Sequence, residues 1–228
     1  MTAPVPPPGN PVPGAPRLAM FDFDGTLADS FPVFAATLGA VADRHGFRRF
    51  GPEEMDDLRA LGAREILARA EVPLWKVPAI AADMRRRMAA RIEEIRLFPG
   101  TAEMIEDLVA AGVRIAVATS NSEATVRRVL GADLAGRIDH YGCGVALFGK
   151  GRTIRRLLAA ARVAPGEAVL VGDELRDLEA AREAGVRFVA VAWGYTLPTA
   201  LAAAGADRLV DRMDGLAAAV LEGGGAAG

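Results

Sequence analysis

Short apolar runs alternate with amphipathic stretches of helical period along the second half of the chain, from Phe98 onward. Strands that are separated by helices pair in parallel, because each helix returns the chain to the same edge of the sheet. The pattern therefore predicts an α/β fold in which a parallel sheet carries helices on both faces. The predicted strands are 113–118, 144–148, 168–171, 186–192 and 208–210, and the predicted helices are 101–111, 122–130, 151–161, 175–184 and 197–204.

The first strand precedes this alternation and is followed by a long helical stretch. Residues 18–23 are apolar except for Asp22, which predicts a buried strand that carries one charge. Residues 30–96, the helical insertion, have helical character with an amphipathic helix over 81–96, and Asp29 is expected to cap the first helix. The insertion is expected to be all-helical. The predicted division is a disordered proline-rich tail at 1–16, an α/β core at 17–29 and 97–221, the inserted domain at 30–96, and a flexible tail at 222–228.

Charge and hydropathy argue against several classes of partner. The 27 basic and 29 acidic residues are interleaved without a basic stripe, so no nucleic-acid partner is expected. No apolar run reaches the roughly 18 to 20 residues of a membrane-spanning helix, and the N-terminus lacks the features of a signal peptide. The lone cysteine, Cys143, cannot form an internal disulfide, which suits a reducing compartment. We expect a cytoplasmic protein with no membrane partner, either a monomer or a homodimer.

Polar side chains collect where the predicted strands end. In an open parallel sheet, ligands bind beyond the carboxyl ends of the strands, so polar residues at these positions are candidates for a site. The candidates are Asp22 and Asp24 at the end of the first strand, Thr119, Ser120 and Asn121 after the second, Lys150 at the start of a helix, and Asp173 and Asp177 after a later strand.

These residue types together suit phosphoryl transfer. Two carboxylates as close as Asp22 and Asp24 repel each other unless a cation or a shared proton relieves them. Carboxylate oxygens are the ligands that Mg²⁺ prefers, and Mg²⁺ in proteins often also binds a substrate phosphate. Hydroxyl and amide groups at a helix start, together with a lysine, can hold an anion.

The string Asp22-Phe-Asp-Gly-Thr-Leu-Ala-Asp-Ser30, followed by Thr119, Lys150 and Gly172-Asp-x-x-x-Asp177, resembles the motifs of the haloacid dehalogenase superfamily. Within it, the chain is most similar to the phosphoglycolate-phosphatase-like branch, and the resemblance spans residues 17–211. It implies a Rossmann-like parallel sheet, and it implies that the helical insertion is the mobile cap of the family.

The resemblance also implies roles for the acids. Asp22 would attack phosphorus, and Asp24 would protonate the leaving oxygen and then activate water. Mg²⁺ would be held by the side chains of Asp22 and Asp173 and by the backbone carbonyl of Asp24, with Asp177 or Glu174 acting through waters. Alternatively, Asp177 would simply pair with a neighbouring cation.

The remaining candidates would bind the substrate. By the resemblance, Thr119 and the amides of Ser120 and Asn121 would bind phosphoryl oxygens, and Lys150 would offset their charge. Asn121 has an equally weighted interpretation as a turn residue. Arg64 would pair with a substrate carboxylate or second phosphate, although an ordinary surface arginine is the simpler interpretation.

The sequence thus predicts a magnesium-dependent phosphomonoester hydrolase that acts on a small phosphorylated metabolite, phosphoglycolate being the first to test, through an aspartyl-phosphate intermediate. Two alternatives are open: a sugar-phosphate mutase with the same nucleophile, and a non-catalytic binding module on this fold. The retention of every charged group of the motifs argues against the second.

Overall fold

A computed structural model describes residues 14–222 of the chain. Its main sheet consists of parallel strands only, as the alternating pattern predicts. The strands are β1 (Leu18–Phe21), β4 (Arg114–Ala118), β5 (His140–Gly142), β6 (Ala168–Gly172), β7 (Arg187–Val191) and β8 (Arg208–Val210), in the order β5-β4-β1-β6-β7-β8. Because β1 lies between β4 and β6, the carboxyl ends of these three strands are neighbours.

Alternate residues of each strand enter two separate cores, one on each face of the sheet. On one face, Phe21 and Val171 pack against α5 (Thr101–Ala110), α6 (Glu123–Ala135) and α10 (Leu216–Leu221). On the other face, Met20 and Phe188 pack against α7 (Lys150–Ala161), α8 (Leu175–Ala184) and α9 (Pro198–Ala203). This is the Rossmann-like α/β arrangement that the sequence predicts.

The helical insertion leaves the sheet after β1 and returns before α5. Its helices are α1 (Phe31–His45), α2 (Met55–Arg59), α3 (Ala63–Arg69) and α4 (Val77–Ala90), with 3₁₀ turns at Pro52–Glu54, Leu74–Lys76 and Ile92–Glu94. At its base, two short antiparallel strands, β2 (Ala28–Asp29) and β3 (Arg96–Leu97), pair with each other. Both ends of the insertion are thereby held side by side next to the sheet.

Three details of the sequence-based prediction are wrong. The strand expected at 144–148 lies earlier, as β5, because Gly144 and Gly149 adopt positive φ angles of 72° and 106° that a strand does not accommodate. The helix expected at 81–96 is α4, which begins at Val77, with a proline in its first turn, and ends at Ala90. Asp29 does not cap α1, since Ser30 is the N-cap residue and Asp29 lies in β2.

The predicted terminal tails fall almost wholly outside the described residues. Within residues 14–222, no helix combines the length and the apolar character that crossing a bilayer requires.

Candidate active site

The candidate residues come together at the carboxyl edge of the sheet. Asp22 and Asp24 follow β1, Thr119 follows β4, and Asp173 follows β6. Because these strands are neighbours in the sheet, residues that lie far apart in the sequence are adjacent in space. The site is therefore built by the sheet topology, with α7 contributing Lys150 from one face.

Asp22 is buried, and its two carboxylate oxygens differ in their environments. Its Oδ1 accepts a hydrogen bond from the backbone amide of Phe23 at 2.7 Å. Its Oδ2 lies 2.9 Å from Nζ of Lys150 and 4.0 Å from Nη2 of Arg176, but it accepts no hydrogen bond from any described residue. Burial raises the pKa of Asp22 to about 6 although Lys150 opposes the shift. One oxygen is thus fixed, and the other is left available to a ligand.

Asp24 has a similar division between its oxygens. Its Oδ2 accepts a hydrogen bond from the side-chain amide of Asn121 at 2.7 Å, whereas its Oδ1 is buried and has no partner among residues 14–222. Burial, together with the charge of Asp22, raises the pKa of Asp24 to about 6. A carboxyl with a pKa near 6 can both give and take a proton close to neutral pH.

Asp173 is held by two hydrogen bonds and is packed closely against two glycines. Its Oδ1 accepts a hydrogen bond from Oγ1 of Thr26 at 2.6 Å, and its Oδ2 accepts one from the amide of Tyr195 at 2.7 Å. A Cβ atom at Gly25 or at Gly194 would overlap the Asp173 carboxylate, and Gly25 also has a φ of +75°. The position of this carboxylate therefore depends on two residues without side chains.

Lys150 and Asp177 form a buried ion pair behind the acids. Nζ of Lys150 donates to Oδ1 of Asp177 at 2.6 Å, and Oδ2 of Asp177 accepts from the amide of Glu174 at the start of α8 at 3.1 Å. Burial by itself would lower the pKa of Lys150, but the charges of Asp177 and Asp22 outweigh it and raise that pKa. Asp177 thus pairs with the lysine, as one of the two interpretations expected, while it also remains close to the other acids.

The acids form a cluster that fits a divalent cation. One carboxylate oxygen from each of Asp22, Asp173 and Asp177 lies within 4.8 Å of the others. Burial, followed by Glu174 and Asp22, raises the pKa of Asp173 well above its usual range. Oxygen ligands of this kind suit Mg²⁺, and Oδ2 of Asp22 and Oδ1 of Asp24, which accept no hydrogen bond from residues 14–222, are free to ligate an ion. The local charge is five carboxylates (Asp22, Asp24, Asp173, Glu174, Asp177) against two cations (Lys150, Arg176).

The segment after β4 departs in one respect from the expected anion site. Thr119 is buried, and its Oγ1 accepts the backbone amide of Asn121 at 3.1 Å. That amide, which was expected to bind phosphate, is therefore engaged within its own turn, while the Asn121 side chain reaches Asp24. Ser122 caps α6 through the amide of Thr125 at 3.2 Å. Asn121 thus serves both the turn and the site.

Arg64 is not brought to the acids. Its side chain is exposed and lies over the Phe148 ring, with Cζ 4.8 Å from the ring centroid. A different arginine of the insertion, Arg59, lies next to the site and donates hydrogen bonds to the carbonyls of Gly194 and Tyr195, both at 3.0 Å. The geometry supports the simpler interpretation of Arg64 as a surface residue.

Two residues near the acids are not among the sequence-based candidates. Arg176 is largely buried, pairs with Glu174, and has an Nε without a partner among the described residues. Arg176 lies in the first turn of α8, where a positive charge is unfavourable because it opposes the helix dipole. An arginine at this position could have been recognised from the sequence as a candidate for a functional site. The hydroxyl of Tyr195 lies 3.0 Å from Oγ of Ser30, and its ring contacts Phe31. No sequence pattern marked Tyr195.

Comparison with known protein families shows to which family the chain belongs. A family model described as haloacid dehalogenase-like hydrolase matches residues 19–191, which is most of the chain. The chain belongs to the haloacid dehalogenase-like hydrolases. This hydrolase is an enzyme of the phosphatase type within that family.

Two curated proteins and one crystal structure are examples of proteins similar to this hydrolase. A phosphoglycolate phosphatase of Synechococcus elongatus is 31% identical over 89% of the chain and 96% of that protein. A protein named tyrosine-protein kinase PtkA, from Mycobacterium tuberculosis, is 33% identical over 79% of the chain, which spans 64% of that longer protein. The crystal structure of CbbY from Rhodobacter sphaeroides in complex with phosphate aligns with a TM-score of 0.70 and 29% identity, covering 91% of the chain and 99% of CbbY.

Proposed function

We propose that this hydrolase is a magnesium-dependent phosphomonoester hydrolase that forms an aspartyl-phosphate on Asp22. The observation that carries the proposal is the cluster of buried acids at the ends of β1 and β6, in which Oδ2 of Asp22 accepts no hydrogen bond from the described residues and lies 2.9 Å from Nζ of Lys150. Its substrate is a small phosphorylated metabolite, and phosphoglycolate is the first to test because the Synechococcus relative carries that name. A cytoplasmic location, with the protein as a monomer or homodimer, completes the proposal.

The chemistry follows from the positions of the two acids after β1. Oδ2 of Asp22 attacks phosphorus, so that an O–P bond forms to the carboxylate and the ester P–O bond breaks. Protonated Asp24 gives its proton to the leaving alcohol oxygen and becomes ionised. Ionised Asp24 then takes a proton from a water molecule, which attacks the aspartyl-phosphate and releases inorganic phosphate and free Asp22. The pKa of about 6 suits Asp24 to both steps.

The neighbouring cations support the transferring group. Lys150 lies 2.9 Å from the attacking oxygen, and Arg176 lies 4.0 Å from it, so both can offset the charge of phosphoryl oxygens. Thr119 and Ser120, which follow β4 next to β1, would bind the remaining phosphoryl oxygens through their hydroxyl and amide groups. Mg²⁺, held by Asp22 and Asp173 with Asp177 nearby, would neutralise charge that the two cations leave uncompensated.

The helical insertion would act as a lid over these groups. The loop after β7 contacts it through Arg59, which donates to the carbonyls of Gly194 and Tyr195. Residues 30–32 and 97–100 are the proposed hinges, since they connect the insertion to the sheet. Closure would exclude water from the first step.

Magnesium-dependent release of inorganic phosphate from p-nitrophenyl phosphate and from phosphoglycolate tests the proposal. Asp22→Asn should abolish release, whereas Asp29→Asn should not, because Asp29 is an exposed carboxylate that lies outside the acid cluster. Acid quenching of Asp24→Asn with ³²P-labelled p-nitrophenyl phosphate, whose leaving group needs no proton, should trap phosphate on the protein. Equal rates for wild type and Asp22→Asn would reject Asp22 as the nucleophile. Return of the phosphate to a second position of a sugar phosphate would instead indicate the mutase.

A further inference from the structure

A cavity of about 300 Å³ lies between the helical insertion and the carboxyl edge of the sheet. Its wall is predominantly apolar and is built by all four helices of the insertion. The wall side chains that matter most here are Phe31, Phe34 and Leu38 on α1, Met55 on α2, Ile66 on α3, and Met84 on α4. None of these six is fully buried, so the packing of the insertion does not account for them completely.

The cavity is continuous with the proposed reaction centre. Asp24, Ser120, Asn121 and Arg176 line the same space as the apolar wall. In the proposed reaction, Asp24 protonates the oxygen that leaves with the alcohol. The substituent on that oxygen therefore points away from Asp22 and toward the cavity.

The charges around the cavity do not favour an anionic leaving group. Arg59 is already engaged by the carbonyls of Gly194 and Tyr195. Arg85, on α4, is partly buried and forms no ion pair with any residue in the described range, so it is the cation that a carboxylate would use. Arg176 also lines the cavity, but it lies 4.0 Å from Asp22 and is assigned to the phosphoryl group in the proposed reaction. A leaving-group carboxylate would therefore have Arg85 as its partner and would otherwise be buried against an extended apolar wall, which is costly for a charge that is not fully paired.

We propose that the preferred substrate of this site is a phosphate monoester of an apolar alcohol, with an alkyl or aryl group that occupies the cavity. The inference rests on the proposed phosphomonoesterase function and replaces only its leaving group. A volume near 300 Å³ is at the lower end of pockets that enclose small organic ligands, so a chain of several carbons or one aromatic ring fits this space.

The expected effect is a dependence of kcat/KM on alkyl chain length. Each methylene group that moves from water into an apolar pocket contributes enough to raise kcat/KM by about fourfold. A series of n-alkyl phosphates from ethyl to octyl keeps the reacting group and the leaving-oxygen pKa nearly constant. We expect kcat/KM to rise along the series until the cavity is full and to exceed that for phosphoglycolate.

Filling the cavity should shorten the preferred chain. Ala81 lines the cavity on α4, whereas Ala89 on the same helix is exposed. Ala81→Phe should lower kcat/KM for hexyl phosphate by about tenfold or more, equivalent to about two methylene groups, and leave ethyl phosphate nearly unchanged. The matched control Ala89→Phe should behave as wild type with both esters. Circular dichroism establishes whether each variant is folded.

Binding measured without turnover gives a second readout. Asp22→Asn cannot form the aspartyl-phosphate, so calorimetric titration with Mg²⁺ and each alkyl phosphate should show affinity rising with chain length, relative to inorganic phosphate. If Ala81→Phe fails to fold, this series and the wild-type kinetics decide the inference by themselves.

The outcomes separate this inference from the proposed function. If wild type hydrolyses no phosphate ester, the proposed function fails. If wild type hydrolyses esters but prefers phosphoglycolate and shows no dependence of kcat/KM on chain length, the proposed function stands and the apolar leaving group is refuted. Loss of the phosphoglycolate preference in Arg85→Gln would then identify Arg85 as the partner of the substrate carboxylate. A flat chain-length series with any other preferred ester also overturns the inference.

Discussion

Replacing Asp22 by asparagine is expected to stabilise the magnesium-free protein while it removes activity. Asp22 is buried, and burial raises the pKa of its carboxyl from 3.8 to about 6 despite the neighbouring Lys150. A carboxyl whose pKa is higher in the folded state than in the unfolded chain lowers stability wherever it is ionised. Asparagine has nearly the same shape without the charge, and Lys150 keeps its hydrogen bond to Asp177.

The size of this effect depends on pH in a defined direction. Below the unfolded-state pKa of 3.8, Asp22 is protonated in both states and costs nothing. As pH rises through the folded-state pKa of about 6, the cost becomes complete. Raising the pKa of a carboxyl from 3.8 to about 6 costs on the order of 3 kcal/mol once the group is ionised, which moves the unfolding midpoint of a chain of this size by about 6 to 12 °C.

Urea denaturation in the presence of EDTA measures this directly. The free energy of unfolding of Asp22→Asn should exceed that of wild type by about 3 kcal/mol near pH 8 and by roughly half as much near pH 5. Asp133→Asn, at an exposed carboxylate, is the control and should change stability by less than about 0.5 kcal/mol. A gain within that margin at pH 8, or one that does not shrink on acidification, would refute the reasoning. Mg²⁺ should stabilise wild type more than Asp22→Asn.

Three further perturbations test other parts of the site. Asp24→Asn should retain a single-turnover burst of p-nitrophenol, whose release needs no proton, but steady-state turnover should fall by about 10²- to 10⁴-fold. Gly25→Ala should lose more stability than Gly46→Ala in urea denaturation and should bind Mg²⁺ more weakly in calorimetry. Both glycines have positive φ, but only the Cβ at position 25 overlaps Asp173. Arg176→Gln should raise the inhibition constant of inorganic phosphate by about tenfold or more, because a charged hydrogen-bond donor is lost; an unchanged constant would place Arg176 outside the phosphate site.

Much of the fold could be predicted from the sequence because each strand and helix leaves its own pattern of apolar residues in a short stretch of chain. The alternation of apolar runs and helices is imposed by burial on both faces of the sheet, and it predicted the parallel arrangement. The edge strand β5 was misplaced because it is short and only partly apolar, while the more apolar residues 144–148 were the stronger pattern. Those residues instead form a loop between two glycines with positive φ.

Only part of the site could be predicted from the sequence. Asp22, Asp24 and Asp173 each follow an apolar run, so the strand ends marked them. Tyr195 reaches the site through its backbone amide, which donates to Asp173, and no residue pattern records such a contact. The position of Arg64 depends on how α3 lies against the rest of the molecule, which the sequence of that helix alone does not determine.

The loop between β5 and α7 contacts the helical insertion, as the loop after β7 also does. Leu147 packs with Val72 and Val77 of the helical insertion, and Phe148 lies beneath Arg64. Lys150 follows two positions later, at the first residue of α7. Any displacement of those helices must therefore either drag this loop along or peel it away. Movement of the helical insertion would in this way be transmitted to the ammonium group of Lys150, which lies 2.9 Å from the Asp22 carboxylate.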